Sequence, residues 1–255
     1  MPTYTETSAA DGSAQARRLD GGVAVSGAHK AFGGVRALDG VSLRIAPGEI
    51  VAVVGPSGCG KSTLLECVCG LQRPDAGSVV SAPAALMPQR DALLPWLSAL
   101  DNAALALRAV GEPRARARAR AHEHFEEFGL TGFEAARPAE LSGGMRQRVA
   151  FLRTLLTGRP VLCLDEPFGA LDAITRAQMQ QWLAEALARE PRTVLLVTHD
   201  VEEAALLADS IVLLSPRPAR VVATLEVGVQ RPRVRTDPAI VALREHALGL
   251  LGAAP

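Results

Sequence analysis

The chain has 255 residues, of which 48% are hydrophobic and 21% are charged, a balance typical of a globular protein with a substantial core. Its 27 Lys and Arg residues match its 27 Asp and Glu residues in number, which argues against a general nucleic-acid-binding protein with a basic excess. No apolar run reaches the roughly 18 residues that predict a membrane-spanning helix.

The amino-terminal segment is small and polar and has no apolar stretch of the kind found in secretory signals. We predict that residues 1–20 form a disordered tail and that the chain stays in the cytoplasm. The cysteines agree with a reducing compartment, since Cys67 and Cys69 are too close for a zinc knuckle and Cys163 lies in an apolar run. We expect neither a zinc site nor a structural disulfide.

Strand-like sequence extends from Val23 to Val54. Two segments, at 23–32 and 37–45, precede a continuously apolar one, "IVAVVG" at 50–55. An apolar, β-branched run of this kind is typical of a central parallel strand that is buried on both faces. Residues 62–70 are predicted to form the helix that follows.

A glycine-rich turn joins that strand to that helix and matches G-x-x-x-x-G-K-[ST]. Its glycines, Gly55, Gly58 and Gly60, let backbone N–H groups approach a phosphate at the start of the helix. Lys61 can reach the β- and γ-phosphates, and the Ser62 hydroxyl can hold magnesium. A chance glycine turn is the alternative, but the strand–turn–helix setting favours phosphate binding.

The composition shifts toward alanine, leucine and arginine from about Pro95 to Leu155, which predicts helices. Arginines alternate between residues 114 and 120 and resemble a basic patch. Because residues two apart on a helix point about 200° apart, we expect a solvated helix instead. The glutamates of residues 123–127 are expected to balance its charge.

Apolar strands return at 161–165, 193–198 and 211–215, with helical segments between them. The alternation predicts an α/β sheet core that is interrupted by a helical insertion. One of these helices, at 174–190, carries an apolar face that we expect to pack rather than to bind a ligand. That face consists of Met179, Trp182, Leu183, Ala186 and Leu187.

Two acidic residues follow the strand "VLCLD" at its carboxyl end, where open α/β sheets bind ligands. Asp165 is suited to hold Mg²⁺ through water, and Glu166 is suited to act as a general base on an attacking water. A loop cap or an ion pair is the alternative, and the Gly55–Ser62 turn favours the chemical interpretation.

The segment "LSGGMRQR" opens a further helix with a serine and two glycines, which predicts a second anion-binding amino terminus. One nucleotide does not need two such sites in one chain. Two chains that face each other do, because the Ser142 segment of each closes over the nucleotide held by the turn of the other. We therefore predict a homodimer with composite sites.

These motifs, followed by "GALD" at 169–172, occur in the order found in ATP-binding cassette proteins, which the chain resembles over nearly all of its length beyond the tail. The resemblance implies an α/β fold with a P-loop NTPase (ABC ATPase) core, an antiparallel β subdomain and an inserted helical subdomain at about 93–155. The implied ATPase domain covers residues 21–230, and residues 231–255 form a short carboxyl-terminal extension.

The resemblance also implies roles for individual residues. Phe32 would stack on adenine, Gln89 would sense magnesium and the γ-phosphate, Asp172 would cross the dimer interface, and His199 would contact the γ-phosphate. The implied catalytic residues are Glu166, His199 and Gln89, and the implied Mg²⁺ ligands are Ser62, Gln89 and Asp165. The residues that would bind ATP are Phe32, Gly55, Pro56, Ser57, Gly58, Cys59, Gly60, Lys61, Ser62 and Thr63. Those that would bind the ATP of the partner chain are Leu141, Ser142, Gly143, Gly144 and Gln147.

Two segments narrow the resemblance to the ATPase subunits of bacterial importers for nitrate, sulfonates and taurine, with a related branch for thiamine-precursor pyrimidines. They are "RDALLPWLSALDN" and "SPRPARVVATLEV", in which Ala219 replaces the usual glycine. The implied partners are two membrane permease subunits and an extracytoplasmic solute-binding protein, with this chain at the cytoplasmic face of the membrane. The alternative is a soluble cassette protein that acts on DNA or ribosomes.

Three further features lead to expectations. The patch at Leu94–Leu97 either receives a helix of the membrane subunit or packs inside the helical subdomain through Trp96. Pro88, which precedes Gln89 where the group usually has an aromatic residue, is expected to change the mobility of that loop. Cys59 lies at a helix amino terminus beside Lys61, which favours its thiolate and predicts that alkylation blocks ATP binding.

Overall fold

The computed structural model describes residues 21–169 and 171–253. The predicted tail over residues 1–20 lies outside this part of the chain. No helix in the described ranges is long and apolar enough to cross a membrane.

Two sheets are present in the described residues. The strands are β1 (Val23–Phe32), β2 (Val35–Ile45), β3 (Ile50–Val54), β4 (Ala76–Ser81), β5 (Ala84–Met87), β6 (Val161–Asp165), β7 (Thr193–Thr198), β8 (Ser210–Leu214) and β9 (Val221–Glu226). An antiparallel sheet has the order β2-β1-β4, and a six-stranded sheet has the order β5-β6-β7-β3-β8-β9. All neighbours in the larger sheet are parallel except β8 and β9.

Strand β3 lies inside the larger sheet, between β7 and β8, and all five of its residues are buried. Its continuous apolar sequence is explained by this position, because helices and the second sheet cover both of its faces. The predicted α/β fold with an additional antiparallel sheet is confirmed.

Helices cover the larger sheet and form most of the region that follows β5. They are α1 (Lys61–Val68), α2 (Ala99–Ala103), α3 (Leu105–Ala109), α4 (Arg114–Glu123), α5 (Gly143–Leu155), α6 (Ala173–Arg189), α7 (Val201–Leu207) and α8 (Pro238–Ala253), and a single 3₁₀ turn covers Pro138–Glu140. The predicted apolar face of α6 is confirmed as packing: Met179, Leu183, Ala186 and Leu187 are buried, and Trp182 packs edge-on against Phe128 and Phe151.

The arginines of α4 pair differently from the expectation. Arg114 and Arg118 lie 3.1 and 2.6 Å from the carboxylate of Asp101, while Arg116 and Arg120 lie 3.1 and 2.8 Å from that of Glu112. Residues four apart share a helix face, so each pair of arginines meets one carboxylate. The predicted solvated helix is confirmed, since all four arginines keep exposed surface. Their ion-pair partners precede the helix and are not Glu123, Glu126 or Glu127.

Candidate functional site

The glycine-rich turn runs from the end of β3 to the start of α1 and wraps around Lys61. Lys61 Nζ donates to the carbonyl oxygens of Gly55 (2.8 Å) and Pro56 (3.0 Å) and is buried. Gly60 has a φ of 129°, and a Cβ there would lie 2.6 Å from the carbonyl oxygen of Ala37. Glycine is therefore required for the turn to fit against strand β2.

A cavity of about 560 Å³ opens above this turn. It brings together segments that are far apart in sequence: the end of β1, the turn, the end of β5 and the end of β6. Of the predicted site residues it is lined by Phe32, Ser57, Gly58, Gly60, Lys61, Ser62, Thr63, Gln89 and Glu166, and in addition by Val35, Ala37 and Arg217. The volume is within the range of small-molecule sites.

Glu166 lies at the centre of a group of polar side chains. Its Oε2 accepts a hydrogen bond from Gln89 Nε2 (3.0 Å) and lies 3.3 Å from His199 Nδ1, and its Oε1 lies 3.9 Å from Lys61 Nζ. Its φ is 43°, an uncommon value for a residue with a side chain, and its N–H donates to the carbonyl oxygen of Val197. The carboxylate is thereby fixed at the edge of the cavity.

Asp165 ends β6 beside the turn. Burial raises the pKa of this carboxyl above its usual value, and a hydrogen bond with Ser62 opposes part of that shift. The hydroxyl of Ser62, the carboxylate of Asp165 and the amide oxygen of Gln89 are the hard oxygen donors that Mg²⁺ prefers. A partly buried carboxylate beside them favours a cation, so these residues are suited to hold Mg²⁺.

Gly55, Pro56 and Cys59 belong to the turn but do not line the cavity. The Cys59 side chain is only 1% exposed. Burial raises the pKa of its thiol, and this effect outweighs the influence of Lys61. The predicted reactive thiolate was therefore wrong, because the apolar surroundings disfavour the charged form more than the helix terminus favours it.

The "LSGG" segment lies at the amino terminus of α5 and does not line the cavity. Ser142 is exposed and caps the helix, and its Oγ accepts from the Met145 N–H (3.2 Å). Gly144 is buried against α6, since a Cβ there would lie 2.8 Å from Thr175 Cγ2. Leu141 and Gln147, predicted to touch a partner's ATP, are also buried, and only Ser142 and Gly143 keep exposed surface.

Asp172 caps the following helix, α6, on the same side of the molecule. Its Oδ1 accepts from the N–H groups of Ile174 and Thr175, both at 3.1 Å, and hydrogen bonds with Thr175 keep the pKa of the carboxyl low. A Cβ at Gly143 would lie 3.4 Å from Leu171, which precedes Asp172. The two exposed caps are thus neighbours.

Trp96 lies in the segment before α2 and is 68% exposed. The interpretation in which it packs inside the helical region was therefore wrong. The sequence analysis missed Arg217, because only the tertiary position of its loop brings it to the cavity. The segment "SPRPAR" has two arginines three residues apart, the first of them between two prolines, and carries no local signal for that contact.

Comparison with known proteins agrees with this geometry. Residues 38–169 match the sequence family described as ABC transporter. The chain is 47% identical over 229 residues to the taurine import ATP-binding protein TauB of Chromobacterium violaceum, covering 83% of this chain and 88% of the relative. It is 45% identical over 222 residues to the aliphatic sulfonates import ATP-binding protein SsuB 1 of Pseudomonas syringae pv. syringae, covering 86% and 92%.

A solved structure, a post-hydrolysis dimeric state of the ATP-binding cassette MJ0796 bound to ADP and Pi, superimposes with a TM-score of 0.71 at 29% identity, covering 82% of this chain and 100% of that one. The fold, the cavity and the sequence relatives lead to one assignment. The chain belongs to the ABC transporter family and is one of its ATP-binding, ATP-hydrolysing cassettes.

Proposed function

We propose that this chain supplies the ATP hydrolysis for import of a small solute of the nitrate, sulfonate and taurine type, with thiamine-precursor pyrimidines as the related alternative. The observation that carries the catalytic part is the position of Glu166, which contacts Gln89, His199 and Lys61 at the edge of the cavity above the turn. The import part rests on the names of the relatives, which are taurine and aliphatic sulfonate import proteins.

The phosphates of ATP bind along the turn from Ser57 to Thr63. The adenine base of ATP lies against Phe32, at the other end of the cavity. Glu166 accepts a proton from the water that attacks the γ-phosphate, and His199 and Gln89 orient that carboxylate. Ser62, Asp165 and Gln89 would hold Mg²⁺, which would supply positive charge against the charge that develops on the phosphates.

The exposed caps Ser142 and Asp172 support a homodimer. They lie outside the cavity of their own chain, so they are available to the nucleotide of a second copy. The dimer drives two membrane permease subunits that receive solute from an extracytoplasmic binding protein, and the chain is peripheral on the cytoplasmic face. The exposed Trp96 and its neighbours are the proposed contact with the permease.

A soluble cassette protein that acts on DNA or ribosomes is the less favoured function. The balanced charge of the chain offers no basic excess for nucleic acid. The names of the relatives also support transport rather than that alternative.

Uptake in a strain that lacks this gene tests the proposal. Labelled taurine, an alkanesulfonate, nitrate and a pyrimidine precursor are offered in turn, and the strain is complemented with the wild-type chain or with Glu166→Gln. We expect uptake of one solute to be lost on deletion and restored by the wild type alone. Unchanged uptake of all four, together with co-sedimentation of the chain with ribosomes, would contradict the transport function.

A further inference from the structure

The loop between β8 and β9, "SPRPAR" at Ser215–Arg220, has no part in the function described so far. It is closed on itself, because the Ser215 N–H donates to the carbonyl oxygen of Arg220 (2.9 Å) and the Arg220 N–H donates to Ser215 Oγ (3.0 Å). The Ser215 hydroxyl also lies 3.0 Å from the carbonyl oxygen of Pro218. These contacts close the loop on itself.

The loop is fastened to strand β2. The Ala219 N–H donates to the carbonyl oxygen of Ala37, and the Asp39 N–H donates to that of Ala219, both at 2.9 Å. The Arg220 guanidinium binds Asp39 Oδ2 through two nitrogens, at 2.8 and 2.6 Å. Since Val35 and Ala37 line the cavity, the loop is fixed at the cavity wall.

Arg217 lies on this loop and also lines the cavity. The nearby arginines Arg36 and Arg220 both pair with Asp39, so that carboxylate is already taken. In the part of the chain that the structure describes, the Arg217 side chain has no ion pair and no hydrogen bond of its own. A cation held at a cavity wall without a counter-ion is suited to an anionic ligand.

The order of the larger sheet indicates which part of the ligand Arg217 meets. Gln89, Glu166 and His199 follow β5, β6 and β7, which all lie on one side of β3. Arg217 follows β8, on the other side of β3. Its loop is bonded to Ala37 of β2, near the β1–β2 turn where Phe32 pairs with Val35, and all of these residues line the cavity. Arg217 is therefore on the nucleoside side of the turn, away from the residues proposed to act on the γ-phosphate.

We propose that Arg217 binds the nucleotide at its ribose and α-phosphate, the part that ATP and ADP share. This proposal rests on the nucleotide site described under the proposed function. A contact that is the same before and after hydrolysis stabilises the bound substrate and the transition state equally, so it sets affinity rather than the rate of the chemical step.

The test measures the dissociation constants of ATP and ADP by calorimetry, and KM and kcat for ATP, on the full chain. Arg217→Ala is compared with Arg217→Lys and with Arg44→Ala. Arg44 is an exposed arginine on the same strand that holds the loop, about 30 Å from Val35 at about 3.3 Å per residue. Arg44→Ala removes the same charge as Arg217→Ala at a position that does not line the cavity.

We expect Arg217→Ala to weaken ATP and ADP binding by the same factor, about three- to tenfold for an exposed charge–phosphate contact. KM should rise with it while kcat stays within about twofold. Arg217→Lys should recover part of the affinity, and the loss should shrink at high salt because the contact is screened. Arg44→Ala should match the wild type.

Equal affinity of Arg217→Ala and the wild type would overturn the inference. So would a loss for ATP that greatly exceeds the loss for ADP, because it would put Arg217 on the γ-phosphate. If the wild type itself binds neither nucleotide, the nucleotide site of the proposed function fails instead. The two failures are therefore distinguishable in one experiment.

Discussion

At the scale of single residues, Glu203 in the first turn of α7 is the least expected group in the described chain. It is 4% exposed, its Oε1 has no hydrogen-bond partner among the described residues, and its Oε2 lies 3.5 Å from Gln180 Nε2. Burial, followed by the charge of Asp200, raises the pKa of this carboxyl to about 8, against smaller opposing effects of Thr198, Gln180 and Arg176. Glu203 is therefore protonated at neutral pH.

The Glu203→Gln variant tests this assignment. The folded pKa lies above the unfolded one, so the folded state binds more protons and stability falls as the pH rises from about 4.5 to about 8. The side-chain amide of the Glu203→Gln variant does not ionise, so the variant does not lose stability in this way. We expect the variant to be more stable than the wild type by an amount that grows across this range, on the order of 4 kcal/mol at pH 8.

Urea unfolding at pH 5, 6.5 and 8 measures the difference between the two chains. Glu202→Gln is the control, because the adjacent Glu202 is paired with Arg235 and Arg244 and its loss should bring no such gain. A stability difference for Glu203→Gln that is the same at all three pH values would mean that Glu203 is ionised in the folded chain.

At the scale of elements, helix α5 holds the segment that follows Gln89. Arg146 Nε lies 3.0 Å from Asp91 Oδ2, and the Arg153 guanidinium donates to the carbonyl oxygens of Asp91 (2.7 Å) and Ala92 (2.8 Å). Ala92 has a φ of 46°, so this turn depends on outside support. Helix α5, which Ser142 caps, is thereby bound to the loop that carries Gln89.

Replacing Arg153 by Ala should weaken the contacts between α5 and the segment at 89–93. Two carbonyl groups lose their donor, so we expect the segment at 89–93 to exchange its amide hydrogens faster and kcat for ATP hydrolysis to fall by about three- to tenfold. KM should change little, because the phosphate-binding turn keeps its contacts. Hydrogen exchange and steady-state kinetics measure the two effects.

The exposed Arg159, which lies just after α5, provides the matched control. Its replacement by Ala should leave both the exchange of the 89–93 segment and kcat unchanged. Unaltered exchange in Arg153→Ala would show that α5 does not hold the loop.

At the scale of the whole molecule, local sequence predicted the elements better than their contacts. The buried strand β3, the turn up to Ser62 and the strand before Asp165 follow from apolar runs and fixed motif spacing. The alternation of strands and helices predicted the α/β core, whereas the antiparallel subdomain was expected only from the family resemblance. The burial of Cys59 and the position of Arg217 at the cavity were not predicted. Both depend on which distant segment packs nearby, and single-sequence patterns do not contain that information.

The two proposed nucleotide-binding surfaces of the chain do not share residues, since the Ser142 and Asp172 caps do not line the cavity. The cavity is lined by the turn and Glu166, while Ser142 and Asp172 are exposed elsewhere. If these exposed caps complete the site of a second copy, as proposed above, hydrolysis is expected to need two copies. This pairing, driven by ATP and ended by hydrolysis, is the central claim about how the protein works.

The mass of Glu166→Gln in solution with ATP tests that claim most directly. Without its general base the variant should keep ATP and remain paired, giving twice the 26.7 kDa of the single chain by light scattering. ADP should not produce the pair, and Ser142→Arg in the same background should prevent it. A Glu166→Gln chain that stays at 26.7 kDa in saturating ATP, or hydrolyses ATP at the wild-type rate, would contradict the account.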